Sequence, residues 1–121
     1  MKTKVISVGP EVQDLLAVGC LIMFNNTAPA ELKEVAAIHE KESDEKDVLH
    51  VGGKFKISGR EYTIDFVGNE ANDNFNELGH LSVYFNNEDE VMDKLPGAIF
   101  VSSKDKVNIS EIKENDIVEI I

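Results

Sequence analysis

Short apolar runs of high β propensity recur along this chain at close intervals, each bounded by Gly, Asn, Asp or Pro. Eight of them read as strands: Lys4 to Val8, Cys20 to Phe24, Ala36 to Glu40, Lys54 to Ile57, Glu61 to Val67, His80 to Phe85, Ala98 to Val101 and Ile117 to Ile121. Many short strands separated by turn residues argue for a barrel or a sandwich. The expectation is a mainly β fold, a single small closed or partly closed β-barrel with one or two short helices. Ser58-Gly59-Arg60 is the clearest turn, with Gly59 free to take the positive φ that tight hairpins need, so the strands on either side should pair antiparallel. The last strand is rich in β-branched residues and should pair inside the sheet, helping to close it.

Two stretches depart from the period of two. Pro10 to Val18 carries Val12, Leu15 and Leu16 at helical spacing and stops at Gly19. Asn69 to Leu78 sets Ala71, Phe75 and Leu78 on one helical face before Gly79, a second short helix to pack on the barrel. Nothing repeats at a fixed period, and no linker rich in Pro, Gly or Ser divides the chain. The 121 residues, 42% hydrophobic and 29% charged, suit one folded domain spanning 1–121.

Charge narrows the function. A formal net charge of -11 repels nucleic acid phosphates and anionic membrane surfaces at long range, which argues against both as partners. The one cysteine, Cys20, lies in an apolar run and reads as core, with no partner for an intramolecular bridge and no Cys-rich metal site. The first residues lead directly into a strand, and no run of about 18 apolar residues occurs, so the expected location is cytoplasmic.

Three histidines are the main bearers of candidate chemistry. A neutral imidazole is nucleophilic, and the phosphoramidate it forms is labile, which suits reversible phosphoryl transfer. On a strand His39 faces the same side as Ala37, whose small side chain would leave the ring accessible. Local sequence alone also fits an ordinary half-buried strand histidine. His80 and His50 read as structural, or as supports that fix a tautomer or hold phosphoryl oxygens. No His-Glu-x-x-His spacing is present and no metal is expected, although a small barrel binding metal or ligand through His39, His50 and His80 is an alternative. The charged run Glu40 to Asp47 reads as a solvated loop, or as an acidic rim that steers a basic partner toward His39. Gly52-Gly53 lacks the Lys-Ser or Lys-Thr of a nucleotide phosphate loop, and no nucleotide cofactor is expected.

Several separated motifs in order resemble one family. They are Leu21-Ile22-Met23-Phe24, Ala28-Pro29-Ala30-Glu31-Leu32, Ile38-His39, Leu49-His50, Val67-Gly68, Asn74, Glu77-Leu78-Gly79-His80 and Leu95-Pro96-Gly97. Together they resemble the IIA component of glucitol/sorbitol-specific sugar phosphotransferase systems, with Glu77-Leu78-Gly79-His80 the most specific element. The resemblance implies a phosphocarrier that takes a phosphoryl group from phospho-HPr onto His39 and passes it to a cysteine of the IIB component, while the membrane IIC component moves the sugar. It implies no metal and no nucleotide, and contact with the membrane only through the permease. His80, and behind it His50, would be supporting groups. Thr27 stands where the family pattern commonly has Gly, and Phe100 where it often has His, which puts in doubt a supporting histidine at that position. The alternative is a non-catalytic regulatory binding module on the same barrel.

Overall fold

A computed structural model describes residues 1–86 and 95–121. In chain order the elements are β1 (Lys2–Val8), α1 (Val12–Ala17), β2 (Cys20–Phe24), α2 (Ala30–Lys33), β3 (Ala36–Lys41), β4 (Lys54–Ile57), β5 (Arg60–Val67), α3 (Ala71–Leu78), β6 (Leu81–Phe85), β7 (Ala98–Ser102) and β8 (Ile117–Ile120). All eight expected strands form, with ends shifted by a residue or two. Among the described residues three short helices form where one or two were expected. The additional one, α2, is a single four-residue turn started by Pro29, whose fixed φ suits a helix entry. It is too short to give a periodic signal in sequence.

The strands close into one barrel in the order β1-β3-β2-β6-β7-β5-β4-β8, with β8 joining β1 to β4. Closure leaves no unpaired edge, so both chain ends are tied into the same sheet. Inward positions alternate with outward ones: Leu21 and Met23 on β2, Phe55 and Ile57 on β4, and Leu81, Val83 and Phe85 on β6 are buried in one core. The β4–β5 hairpin turns through Ser58 and Gly59, both at positive φ (50° and 76°), the signature of a two-residue type I′ turn. Of the face expected for α3, Ala71 and Phe75 are buried, but Leu78 is 39% exposed and takes no part in the core.

The barrel order contains a twofold relation that no fixed sequence period revealed. Exchanging β8 with β4, β1 with β5, β3 with β7 and β2 with β6 leaves the neighbour list unchanged. The pairings follow it as well: β1·β3 and β5·β7 are antiparallel, each with an irregularity in the ladder, while β2·β3 and β6·β7 are parallel. Val8-Gly9-Pro10-Glu11 and Val67-Gly68-Asn69-Glu70 hold equivalent places, leading from strand to helix. Gly9 N–H donates to Ala36 O and Gly68 N–H to Ala98 O. Connection lengths differ between the halves, and few residues are shared, which hides the relation in the sequence.

Gly9 and Gly68 also share a steric constraint. A Cβ on Gly9 would lie 2.2 Å from the Lys33 carbonyl oxygen, and one on Gly68 would lie 2.2 Å from that of Pro96. Backbone cannot rotate out of the way as a side chain can, so either substitution must part the strand end from the crossing chain. Gly9→Ala and Gly68→Ala are each expected to lose about 3 kcal/mol, the upper range for overpacking. Urea unfolding of the two variants checks this, and a loss below about 1 kcal/mol for either would contradict the close crossing.

Candidate functional site

The three histidines go to three different places. His50 is exposed in the loop between β3 and β4. His80 lies just before β6, half-buried, with its ring 5.4 Å from that of Phe24. His39 is on β3, paired with Val5 of β1, and is only 2% exposed. The ring is therefore much more enclosed than the small neighbour Ala37 suggested, because α3 covers it: the rings of His39 and Phe75 stack at 5.7 Å. His39 nevertheless forms part of the wall of a cavity of about 320 Å³, together with Ile6, Asn25, Glu40, Lys41 and Gly79.

Both imidazole nitrogens are engaged. Nε2 lies 2.7 Å from the Gly79 carbonyl oxygen, and Nδ1 lies 2.6 Å from Thr3 Oγ1. A carbonyl oxygen can only accept, so Nε2 carries the proton; in the neutral ring Nδ1 then accepts from the Thr3 hydroxyl. Burial pushes the imidazole pKa down, the Gly79 carbonyl acts in the opposite direction, and the nearby Lys41 charge lowers it further. The net shift is downward, so the ring is neutral and nucleophilic near pH 7.

The groups around His39 come from distant parts of the chain. Thr3 is an inward position of β1, fully buried, two residues before Val5 on the same face. Gly79 ends α3 in the left-handed region at φ 61°. A Cβ there would lie 2.9 Å from His39 Nε2, so only glycine fits against the ring. Lys41, two residues beyond His39 on the same strand face, sends its ammonium to the Phe75 carbonyl and over the Phe75 ring, 4.4 Å from its centroid. The loop after β2 is tied to the same place, with Asn25 N–H donating to Leu78 O at 2.9 Å. Thr27 donates from its backbone N–H and its hydroxyl to the Asn25 side-chain oxygen, so the residue that departs from the family pattern closes this turn.

The charged run after β3 divides in two. Glu40 and Lys41 are still strand and line the cavity, whereas Glu42, Asp44, Glu45 and Asp47 are exposed. The run is held along α3 by two asparagines one helical turn apart. Asn72 accepts from the Leu49 N–H and donates to the Leu49 carbonyl, and Asn76 accepts from the Asp47 N–H and donates to the Asp47 carboxylate. An acidic loop thus borders the cavity that contains His39. Phe100, where the family pattern often has His, stacks on Tyr84 at 5.0 Å and meets Phe66 edge-on. It is part of an aromatic row on β5, β7 and β6, and the cavity wall does not include it. Among the described residues no three His, Cys, Asp or Glu side chains gather as metal ligands, and no helix is long and apolar enough to cross a membrane.

The sequence singled out His39 but not the groups the structure places around it, Thr3, Lys41 and the Gly79 carbonyl. Thr3 carries a weak signal, a polar side chain on the inward phase of a strand whose next inward residue is Val5. The Gly79 carbonyl has none, since any residue has one.

The fold class comes from a structural likeness. A crystal structure of a PTS system IIA component from Enterococcus faecalis superposes with a TM-score of 0.82, covering 98% of each chain at 20% identity. Residues 1–119 match the family described as the PTS system glucitol/sorbitol-specific IIA component. The corresponding EIIA components of Shigella flexneri and Escherichia coli are each 34% identical over 101 residues, 84% of this chain and 80% of theirs. The chain belongs to the family of glucitol/sorbitol-specific IIA components, and its role is that of a phosphocarrier in a sugar phosphotransferase system.

A depressed His39 pKa fixes the sign of a stability effect. The unfolded chain titrates this histidine near the ordinary value of about 6.5. Below that pH the unfolded state binds a proton that the native state resists. The stabilisation is therefore fully present above about pH 6.5 and is lost as pH falls toward the lower native value. His80, lowered by burial, acts in the same direction, whereas Asp105, held down to about 2 by the Arg60 guanidinium, contributes only in more acid solution. Unfolding free energy is expected to decline between about pH 6.5 and 5, and less steeply in His39→Gln. Denaturant titrations across that range check it; equal slopes would mean that His39 does not titrate low.

Proposed function

We propose that His39 is the phosphorylated residue of this IIA component, and that residues 1–121 act as one phosphocarrier domain on the cytoplasmic side of a sugar permease. Phospho-HPr delivers the phosphoryl group, His39 holds it as a phosphohistidine, and a cysteine of the IIB component receives it while the IIC component carries glucitol (sorbitol) inward. The observation that carries this reading is that, of the three histidines, His39 is the one in the cavity wall, neutral and fixed in orientation from both sides. A rigidly held, uncharged imidazole is suited to in-line transfer between two docked proteins, where positioning and charge stabilisation do most of the catalytic work.

Lys41 supplies the charge. Its ammonium lies on the same wall, and a phosphoryl group arriving at His39 brings negative oxygens into a protein of net charge -11. Moving the ammonium from the Phe75 carbonyl toward those oxygens exchanges a neutral acceptor for a charged one. Support for the ring comes in this reading from Thr3 and Gly79, and His80 and His50 are left with structural places. The exposed acidic loop beside the cavity favours a partner with a basic docking face, as an HPr-type donor would need to be.

Intact-protein mass after incubation with phosphoenolpyruvate, enzyme I and HPr tests the nucleophile. The wild type, His80→Ala and His50→Ala are expected to gain one acid-labile phosphoryl group, and His39→Ala none. An adduct on His39→Ala would move the site to His80 or His50. Absence of any adduct on the wild type would favour the regulatory binding module.

The same assay followed in time reads the role of Lys41. Lys41→Gln is expected to slow phosphoryl uptake by about 100-fold, the lower end of the cost of removing one charge-stabilising donor, with the folded barrel retained. An unchanged rate would remove Lys41 from the chemistry.

A further inference from the structure

Among the described residues, three of the large apolar side chains left in water border the hollows beside His39: Ile6 at 41%, Leu78 at 39% and Ile117 at 39% exposed. Ile6 lines the His39 cavity itself. Leu78 directly precedes Gly79, and its carbonyl accepts from Asn25 N–H, so its neighbours belong to the cavity wall. Ile117 stands beside Lys4 in the β1–β8 ladder, and Lys4 lines a second hollow of about 530 Å³ with Ile6, Glu40, Lys41, Glu42 and Asn115. Ile6 is common to both hollows and forms a ridge between them.

A bulge puts Ile6 there. The β1–β3 register shifts between Val5 and Ser7, and the additional residue, Ile6, is exposed although Val5 before it is fully buried. The equivalent β5–β7 ladder is irregular between Ile64 and Phe66, where the residue is Asp65, exposed and charged. The same backbone device thus carries a carboxylate in one half and a branched alkyl side chain in the half that holds His39. Leu78 says less on its own, because Val18 is exposed in the equivalent place before Gly19. An isoleucine held in water by a bulge adds little to the core. With Leu78 and Ile117 in the same region, it offers apolar surface that a docked protein can cover.

We propose that Ile6 is the apolar anchor of the donor docking face, and that its occupant is a protein presenting a phosphohistidine beside an apolar side chain and within a ring of Lys or Arg. This deepens the phosphocarrier reading and rests on His39 being the phosphorylated residue. Charge complementarity selects the occupant. The carboxylates of Glu42 and Asp44 are exposed and, among the described residues, meet no cation or hydrogen-bond donor. By contrast, Glu45 lies 3.7 Å from the N-terminal amine and Asp47 is held by Asn76. A basic side chain arriving over the ridge therefore meets two uncommitted anions, whereas a second copy of this chain would bring a net charge of -11 against its own acidic rim. Position selects it as well. His39 is almost fully buried, so the phosphoryl group has to be carried into the hollow on a side chain that projects from the donor while the surfaces around it touch. A donor seated over Ile6 has its phosphohistidine in the hollow with His39 and Lys41, and a neighbouring basic side chain in the hollow with Glu40 and Glu42. The apolar contact holds the complex, and the charges speed encounter.

The test titrates the full ¹⁵N-labelled chain with unphosphorylated HPr, which reads docking apart from transfer. The backbone signals of Ile6, Leu78, Ile117 and Glu42 are expected to shift, and those of Val51 and Val107 to stay. Phosphoryl uptake is then followed against phospho-HPr concentration. Ile6→Ser is expected to raise KM about 30-fold, the order of one central interface contact, with a saturated rate close to wild type. That loss should persist at about 1 M salt, where exposed charges are screened beyond about 3 Å. Glu42→Lys with Asp44→Lys is expected to raise KM about tenfold at low salt and to lose the effect at high salt. Val51→Ser, an exposed apolar position outside both hollows, should keep the wild-type KM. An unchanged KM in Ile6→Ser would overturn the proposal. Signal shifts elsewhere on a chain that is phosphorylated at His39 would also overturn it and leave the carrier reading intact. The expected shifts with the phosphoryl group on another histidine would overturn the His39 reading on which it rests. Shifts at Ile6 that grow with the chain's own concentration would give the ridge to a second copy, and shifts with the IIB component but not with HPr would give it to IIB; either result overturns the donor assignment.

Discussion

A buried imidazole has two polar nitrogens, and each must find a partner or carry a desolvation cost of about 1–3 kcal/mol. In this barrel both partners exist only because two distant segments, β1 and α3, converge on His39. Thr3 arrives on β1 by pairing antiparallel with β3, and Gly79 arrives at the left-handed end of α3. Phe75, one turn earlier on the same helix, covers the ring. Removing any one of these elements leaves the ring either unsatisfied or open to water. The site is consequently a property of the closed barrel, and the segment Ile38-His39-Glu40 alone has none of it.

The twofold relation between the halves makes the asymmetry of the site informative. β3 and β7 hold equivalent positions, but the corresponding stretch of β7 is Ile99, Phe100 and Val101, with Ile99 and Val101 in the core. Near that end the polar groups are Asn86, Ser103, Asn108, Asp105 and Arg60, bound to one another in a closed network. A single Arg60 nitrogen, Nη2, donates to both Asp105 carboxylate oxygens, so this pair is committed to each other. One half therefore uses the architecture for a titrating, cavity-facing group, and the other fills the related place with apolar side chains. The shared feature is backbone geometry, above all the close crossings at Gly9 and Gly68. Such crossings constrain only the absence of a side chain, which is why two halves can diverge in nearly every other residue and keep one topology.

The strand set was legible because most strands have one face buried and one wet, so apolar residues fall at every second position. β7 broke that rule, with four consecutive buried residues, yet its β-branched and aromatic content still marked it. What periodicity could not supply was the third dimension. Ala37 beside His39 suggested an accessible ring, but strand position says nothing about a helix folded over it. Leu78 had helical spacing with Ala71 and Phe75 and yet stayed exposed, since the barrel meets only the Ala71–Phe75 stripe. His80 had the more specific motif around it. In the structure the part of that motif that touches His39 is the carbonyl and missing Cβ of Gly79, a backbone contribution that side-chain identity does not show.

The electrostatic setting follows from a conflict between scales. At long range a net charge of -11 attracts a basic partner and repels free phosphate and other anions. At contact range the group to be transferred is itself anionic, and the field that brought its carrier would oppose its arrival. A protein built this way needs a local positive charge at the transfer point, shielded enough to act strongly yet without a committed carboxylate. Among the described residues Lys41 has that character: half-buried and bonded to the neutral Phe75 carbonyl, with burial and the nearby Lys46 charge pushing its pKa down. Had it been paired with one of the many acidic side chains, its charge would already be neutralised and the ion pair would have to break before transfer. On the proposed function the surrounding acidity serves recognition, and one cavity holds a neutral imidazole and, on the same strand, an ammonium bonded to a neutral carbonyl.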